Sequence, residues 1–278
     1  MTRSPLFLQA RNITRTFGDL VALDDVSVDI PTGKVTGLIG PNGAGKSTLL
    51  SILSGFERPS SGQVIYDGED ITRHPGYRRV EIGITRTFQD VEIFPTLTVL
   101  ENVLLGFQDQ LGEKLWRLIL TPGEVRRQRQ QFIAQALEIL KTIGIIDQRP
   151  DELAGNLSYG QQKLLALARM LPTDADFFML DEPGSGLPRP IVAHMGALLR
   201  RIATEHGKGI VLVDHNMELV LEYAEHVIVM HHGTVLAQGA PEYVRRHPDV
   251  LRVYLSRPDD DHNILPPPAT TAEGAIHA

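Results

Sequence analysis

Nine consecutive residues, Gly40 to Thr48, have the composition of a loop that binds phosphate. They fit the pattern G-x-x-x-x-G-K-[ST]. In this pattern glycines let the backbone curve until its N–H groups point at a polyphosphate, and the lysine adds a positive charge near the β and γ phosphates. The hydroxyl of Ser47, or of Thr48 beside it, is a suitable ligand for Mg²⁺. The loop residues predicted to hold the ligand are Gly40, Asn42, Gly43, Ala44, Gly45, Lys46, Ser47 and Thr48.

The segments on either side of this loop have the pattern that such a loop requires. The apolar run from Val35 to Ile39 predicts a buried strand. The stretch from Ser47 to Ser54 predicts a helix that ends at Gly55. The N-terminus of that helix supplies free N–H groups and a dipole that favours an anion.

Two further apolar runs end in side chains that could act on a bound phosphate. Residues Phe177–Leu180 are followed by Asp181 and Glu182, and residues Ile210–Val213 are followed by Asp214 and then His215. An Asp at a strand end can hold Mg²⁺, and the next carboxylate can activate a water molecule. An acidic pair or one histidine is by itself more often structural. In an open parallel sheet, however, all these strand ends share one edge, and that edge is where ligands bind.

The rest of the chain predicts an antiparallel layer and a helical insert. Short β-type runs at 7–13, 26–30 and 63–66 lie near the phosphate loop, and a strand-like run from Ile82 to Phe88 ends in Gln89. Thr98 and Glu101 form a capping box, an amphipathic helix is predicted at 124–143 with Gly144 as its stop, and Ser158 caps a helix at 161–171. A hairpin at 227–237 and a helix at 241–255 complete the pattern. The expected fold is α/β, with a parallel sheet, an antiparallel β layer and an inserted helical subdomain.

Composition restricts the classes of function. The chain has 278 residues, a net charge of −7 and no cysteine, which excludes disulfides and thiolate chemistry and argues against a nucleic-acid partner. No apolar run approaches the length of a membrane span, and the first residues lack the apolar segment of a signal peptide. We therefore expect a protein that neither spans a membrane nor leaves the cytoplasm by that route. Residues 256–278, rich in Asp, Pro and small polar types, are expected to be disordered.

Three weaker features have both a structural and a functional interpretation. Phe17, in a turn, is either a turn or core aromatic or a platform on which an adenine ring stacks. Ser158 is either an ordinary helix cap or part of an anion site at a helix N-terminus. The pair His231-His232 is expected to be turn surface, because no third metal ligand lies nearby in sequence.

Taken together, the motifs closely resemble the ATPase subunit of ATP-binding cassette (ABC) transporters, over about residues 6–255. The phosphate loop is followed in order by Gln89, the signature Leu157–Lys163, the stretch Phe177–Pro183 and His215. The resemblance implies a P-loop NTPase core at about 6–89 and 165–255, with the helical insert at about 90–164. It also implies ATP and Mg²⁺ as ligands.

The resemblance assigns roles to individual residues. Phe17 would stack on adenine, and Gln89 would sense Mg²⁺ and water. Asp181 would support Mg²⁺, Glu182 would polarise the attacking water, and His215 would contact the γ phosphate.

The resemblance further implies a dimer of cassettes. Ser158, Gly160 and Gln161 of one cassette would close over ATP held by the phosphate loop of its partner, which is either identical or a paralogue. The other implied partners are transmembrane permease subunits and an extracytoplasmic solute-binding protein. The chain would then lie as a peripheral protein on the cytoplasmic face of the inner membrane.

Within this superfamily the sequence is most similar to the uptake group for branched-chain or hydrophobic amino acids. The similarity is carried by Gly83–Gln89, Ile93–Val103, Tyr159–Gln162 and an extra segment at about 111–130. An ATPase of lipopolysaccharide export shares most of these motifs, but its family usually lacks the extra segment. A soluble cassette ATPase of translation or DNA repair, and a nucleotide-dependent scaffold with weak hydrolysis, are further alternatives.

The sequence departs from the family pattern at two positions. Tyr159 replaces the usual second glycine of the signature, a change that members of the uptake group commonly tolerate. In the D-loop, Gly184–Pro190, the family generally has Asp or Asn where this chain has Pro188. Because proline has no N–H and no polar side chain, we expect weaker coupling to the partner cassette.

Overall fold

A computed structural model of the protein describes residues 5–86, 93–108, 110–113, 120–144, 150–214 and 217–255. The strands within these residues form two sheets, one of six strands and one of four. This arrangement confirms the expected α/β fold with a parallel sheet and a separate antiparallel layer. The predicted tail at 256–278 lies outside the described residues.

The larger sheet carries the strand ends that matter for function. Its order is β10-β9-β3-β8-β7-β6, with every neighbouring pair parallel except β10 with β9. The central strands β3, β8 and β7 are almost continuously apolar and buried, as expected for strands covered on both faces. The strands are β3 Val35–Ile39, β6 Ile84–Arg86, β7 Phe177–Asp181, β8 Gly209–Val213, β9 His226–His231 and β10 Thr234–Gly239.

The smaller sheet is antiparallel in the order β2-β1-β4-β5. Strands β1 and β2 are longer than predicted. Register shifts between them let their hydrogen-bonded pairing continue past turn-like residues in each strand. The turns at residues 17–19 and 67–68 are confirmed, and Asp67 and Gly68 both have positive φ there. The strands are β1 Phe7–Phe17, β2 Leu20–Pro31, β4 Ser61–Tyr66 and β5 Glu69–Asp70.

Most predicted helices are confirmed, with their caps. Thr98 and Glu101 form both bonds of the capping box, and Gly144 ends the long helix of the insert in the left-handed conformation. Among the described residues no helix is both long enough and apolar enough to cross a membrane. The helices are α1 Lys46–Leu53, α2 Gly76–Glu81, α3 Val99–Leu104, α4 Pro122–Ile143, α5 Tyr159–Met170, α6 Arg189–His206, α7 Met217–Tyr223, α8 Pro241–Arg246 and α9 Pro248–Leu255.

Two predictions of extent were wrong. The run from Ile82 was expected to be strand, but Ile82 caps the unpredicted helix α2, and Gly83 turns the chain with φ 94° before β6 begins. Residues 87 and 88 lie outside the described residues. The single helix predicted at 241–255 is divided into α8 and α9, because Pro248 forces His247 into an extended conformation.

The core lies on both faces of the larger sheet. Leu38, Met179 and Val211 face a cluster formed with the antiparallel sheet and α1. Val35 and Leu180 belong to a second cluster, which continues into the helices of the insert and α6. The sheet is therefore held on both faces, and its carboxyl edge presents a rigid row of strand ends.

Candidate functional site

The loop between β3 and α1 has a conformation that only glycine permits at key positions. Gly45 has φ 97°, and a Cβ added there would lie 2.7 Å from the carbonyl oxygen of Ala22. A Cβ on Gly40 would collide with the carbonyl oxygen of Met230. The backbone thus passes close to two neighbouring strands, which hold the loop in place.

Lys46 lies within the curve of this loop. Its ammonium group donates to the carbonyl oxygens of Gly40 (2.7 Å) and Pro41 (3.0 Å), and its side chain is buried. Helix α1 begins after Gly45 without a side-chain cap, which leaves its first N–H groups directed toward a ligand. Asn42, Gly43 and Ser47 are exposed, Thr48 is half-buried and Ala44 is buried. The loop therefore has the backbone donors and the cation that a polyphosphate needs.

The predicted hairpin turn between β9 and β10 contacts the phosphate loop, a contact that the sequence did not indicate. The N–H of Gly233, between β9 and β10, donates to the carbonyl oxygen of Ala44 (3.1 Å). The carbonyl oxygen of Gly233 accepts from the N–H of Asp24 on β2 (2.9 Å). His231 is half-buried and His232 is exposed, and the described ranges contain no group of three acidic or histidine side chains that could hold a metal. His232 lies in the turn, as expected, whereas His231 is the last residue of β9.

Asp181 ends β7, two strands away from the phosphate loop in the same parallel sheet. Its Oδ2 accepts a hydrogen bond from Nη2 of Arg86 at 2.9 Å, and both side chains are almost buried. Arg86 was not anticipated as part of the site. A charged residue at the end of an otherwise buried strand is a signal that could have found it, since such a charge requires a partner.

Glu182 follows Asp181 in a strained conformation, with φ 48°. Its N–H donates to the carbonyl oxygen of Val213 at the end of β8 (2.7 Å). The ammonium group of Lys163, on α5, lies 3.4 Å from the carbonyl oxygen of Glu182. The backbone of Glu182, the predicted base, is thus held by β8 and by α5, the helix that carries the signature residues. Asp214, after β8, is buried beside these strand ends.

Phe17 is the last residue of β1, directly before the turn to β2, and 44% of its surface is exposed. The guanidinium of Arg15 lies over its ring, 4.4 Å from the centroid, and Arg15 also pairs with Glu57 at 2.8 Å. A cation over one ring face leaves the other face available to a second planar group, and an exposed aromatic ring is a suitable platform for a base.

The signature residues contact the D-loop of the same chain rather than the phosphate loop. The hydroxyl and N–H of Ser158 both donate to Oε1 of Gln161, and the N–H of Gln161 donates to Ser158, which completes a capping box. A Cβ on Gly160 would lie 2.7 Å from Ile191, at the start of α6. Tyr159 is half exposed and lies beside Gly186.

The site residues thus fall into two groups. The phosphate loop and Asp181 share the carboxyl edge of the large sheet, whereas Ser158, Gly160 and Gln161 lie at the start of α5. Gln89 and His215 lie outside the described residues. The hydroxyl of Ser47 and the carboxylate of Asp181 are oxygen donors of the kind that Mg²⁺ prefers, and the glycine-lined loop fits a polyphosphate. The residues present are therefore compatible with a magnesium nucleotide.

Comparison with known proteins places this geometry in a family. The family model described as ABC transporter matches residues 23–185, more than half of the chain. The branched-chain amino acid transport ATP-binding protein BraF of Pseudomonas aeruginosa is 34% identical over 248 residues, which cover 89% of this chain and 97% of BraF. The probable branched-chain amino acid transport ATP-binding protein LivG of Archaeoglobus fulgidus is 35% identical over 256 residues, covering 91% and 97%.

Solved structures agree with this assignment. The ADP conformation of MJ1267, an ATP-binding cassette of an ABC transporter, matches with a TM-score of 0.75 and 30% identity over 91% of this chain and 99% of that chain. The dimeric cassette MJ0796 matches with a TM-score of 0.67 and 27% identity, covering 84% and 98%. The chain belongs to the ABC transporter family and is its nucleotide-binding, ATP-hydrolysing cassette.

Proposed function

We propose that the chain is the ATPase subunit of an importer for branched-chain or other hydrophobic amino acids. One observation carries this proposal: relatives named as branched-chain amino acid transport ATP-binding proteins align with about nine-tenths of the chain and nearly all of their own length. Similarity confined to the phosphate loop and the other general motifs would not extend so far.

The proposed site of ATP uses the described geometry. The triphosphate lies in the loop of residues 40–48, where backbone N–H groups and Lys46 bind its oxygens. The adenine ring stacks on the face of Phe17 that Arg15 leaves uncovered. Glu182 accepts the proton of the attacking water, and His215 and Gln89 contact the γ phosphate and the magnesium site.

Magnesium is part of the same proposal. The hydroxyl of Ser47 or Thr48 and the carboxylate of Asp181 would hold the ion, with Gln89 beside it. When bound, Mg²⁺ neutralises charge on the β and γ phosphates. The residues of the chain do the rest: they orient the nucleotide, and Glu182 orients and deprotonates water.

We further propose a dimer in which Ser158, Gly160 and Gln161 of one cassette contact ATP held by the other. MJ0796 is described as dimeric, and cbiO1 of Clostridium perfringens as part of the complex cbiONQ. Ser158 and Tyr159, at the start of α5, are exposed, which suits a role across an interface. The remaining proposed partners are permease subunits at the cytoplasmic face of the inner membrane and a solute-binding protein.

Within the chain, we propose a cassette core at 6–89 and 165–255 and a helical insert at 90–164.

Uptake measurements in the source organism test this function. Deletion of the gene should reduce the uptake of radiolabelled leucine, and the wild-type chain supplied from a plasmid should restore it. Lys46→Ala should fail to restore uptake, whereas Arg78→Gln, on the exposed side of α2, should restore it. Unchanged leucine uptake after deletion would contradict the assigned substrate, while loss of an unrelated solute's uptake would indicate a different one.

A further inference from the structure

Arg86 is a cation paired with Asp181 to which the sequence analysis gave no role. It is the last residue of β6 and pairs in register with Met179 of β7. Only 8% of its side chain is exposed. An arginine enclosed to this extent requires partners for its charge and its donors.

The two ends of the Arg86 guanidinium reach two different parts of the site. Nη2 donates to Oδ2 of Asp181 (2.9 Å), and Nη1 donates to Oγ of Ser51 on α1 (2.8 Å). The Ser51 hydroxyl in turn donates to the carbonyl oxygen of Ser47 (2.7 Å). One planar group therefore connects the carboxylate proposed to support Mg²⁺ with the helix that carries the proposed hydroxyl ligand.

The electrostatics of this pair bear on metal binding. The side chain of Asp181 is 11% exposed, and an enclosed carboxylate is costly without a nearby positive charge. Arg86 provides that charge. A divalent ion at the same carboxylate would be a second positive charge within a few ångströms, and the two cations would repel one another.

We infer that Arg86 is an internal counterion that neutralises Asp181 when no metal is bound and thereby raises the Mg²⁺ concentration needed to load the nucleotide site. The inference rests on the proposed role of Asp181 at the magnesium site. Arg86 acts through Asp181 and Ser51, and is therefore a positioning residue rather than a catalytic one.

The test is a titration of Mg²⁺ with the full chain and a fluorescent ADP analogue, starting in EDTA. The measured quantity is the Mg²⁺ concentration that gives half of the metal-dependent increase in nucleotide affinity. Arg86→Gln keeps hydrogen-bonding capacity but removes the charge, and should lower this midpoint about five- to tenfold. Arg86→Lys keeps the charge but reaches only one of the two partners, and should lower it about twofold.

Two controls separate this role from a purely structural one. Arg78→Gln, an exposed arginine paired with Glu81, should leave the midpoint unchanged. In an Asp181→Asn background, Arg86→Gln should have no further effect, because the carboxylate that it neutralises is gone. If the pair of Arg86 and Asp181 were purely structural, Arg86→Gln would change the unfolding temperature. It would leave the Mg²⁺ midpoint of the folded variant unchanged.

The outcomes are distinguishable. An unchanged or higher midpoint for Arg86→Gln, or an effect that persists with Asn at 181, overturns the inference. If Arg86→Gln does not fold, Arg86→Met, which also removes the charge, takes its place, and a midpoint equal to that of the wild type overturns the inference. A wild-type chain without any Mg²⁺-dependent binding of ADP would instead overturn the proposed function, and this inference with it.

Discussion

Glu182 has a left-handed backbone conformation, which L-residues other than Asn and Asp seldom adopt. Two bonds hold it there, one to the strand end at Val213 and one from Lys163. Strain that neighbouring elements maintain is common where a side chain must point in one direction. We interpret the conformation as the means by which the chain fixes the carboxylate proposed to act as the base.

The first prediction concerns that carboxylate. Glu182→Gln keeps the shape of the side chain but removes its capacity to accept a proton, so the rate of ATP hydrolysis should fall by about two to four orders of magnitude. ATP affinity should stay within about twofold of the wild type, because the phosphate loop is untouched. Phosphate release and nucleotide titration measure the two quantities. Turnover at the wild-type rate would show that Glu182 is not the base.

The second prediction for a single residue concerns Lys46 and its effect on nucleotide affinity. Lys46→Ala removes both the charge and the bonds to Gly40 and Pro41, so nucleotide affinity should fall at least about tenfold. Calorimetric titration with ADP measures it. A matched change at an exposed lysine, Lys141→Ala on α4, should leave the affinity as in the wild type, and equal losses in both variants would contradict the assignment.

At the scale of elements, a buried arginine fixes the far end of the phosphate-loop helix. Arg79 is fully buried and donates to the carbonyl oxygens of Ile52 and Leu53, where α1 ends, and to those of Ile71 and His74. Burial lowers the pKa of Arg79 to about 10, so the guanidinium stays charged near neutral pH. It therefore satisfies the last carbonyls of α1 and opposes the negative end of the helix dipole.

Replacing this group should destabilise the whole fold. Arg79→Met fills a similar space but removes the buried guanidinium that donates to the end of α1, including the carbonyl oxygen of Leu53, and should cost about 3 kcal/mol or more of unfolding free energy. Arg78→Met, on the exposed side of the same helix, should leave the stability close to that of the wild type. Urea unfolding followed by circular dichroism measures both. Equal stability of the two variants would show that α1 does not depend on this cap.

The close packing at Gly160, where α5 begins, predicts a variant that loses hydrolysis but keeps its affinity for ADP. A methyl group on Gly160 would lie 2.7 Å from Cδ1 of Ile191, so Gly160→Ala must displace that side chain and alter the packing between α5 and the start of α6. We expect hydrolysis to fall about tenfold, while ADP affinity of the single chain stays within about twofold, because its own phosphate loop is distant. Phosphate release and ADP titration separate the two effects. Unchanged hydrolysis would show that this close contact tolerates a shift.

At the scale of the whole molecule, Pro188 bears on communication between cassettes. It is the N-cap of α6 and supplies no side-chain hydrogen bond there. Pro188→Asp should both cap the helix and restore an acidic D-loop residue at the proposed interface, which should raise the Hill coefficient of ATP hydrolysis. Pro188→Ala, which removes the ring without adding a carboxylate, is the control. An unchanged Hill coefficient in Pro188→Asp would remove the idea that proline weakens coupling.

Sequence alone determined the parts of this protein that depend on neighbours along the chain. Residues 40–48 specify the phosphate loop because their glycines, lysine and hydroxyls act within one turn. The capping boxes at Thr98 and Ser158 were predictable for the same reason: each is closed within three residues. Apolar runs bounded by acidic residues predicted β7 and β8, and hence the shared edge.

Only the tertiary structure decided which distant groups meet at that edge. Arg86 and Asp181 are 95 residues apart, and the turn at Gly233 supports a loop that lies near the start of the chain. Arg79 finds its carbonyl partners on a helix about 26 residues earlier. Such contacts leave no periodic trace in a sequence, because they depend on how sheets and helices pack rather than on local backbone preference. The phosphate loop could therefore be predicted from the sequence, but the pairing of Arg86 with Asp181 could not.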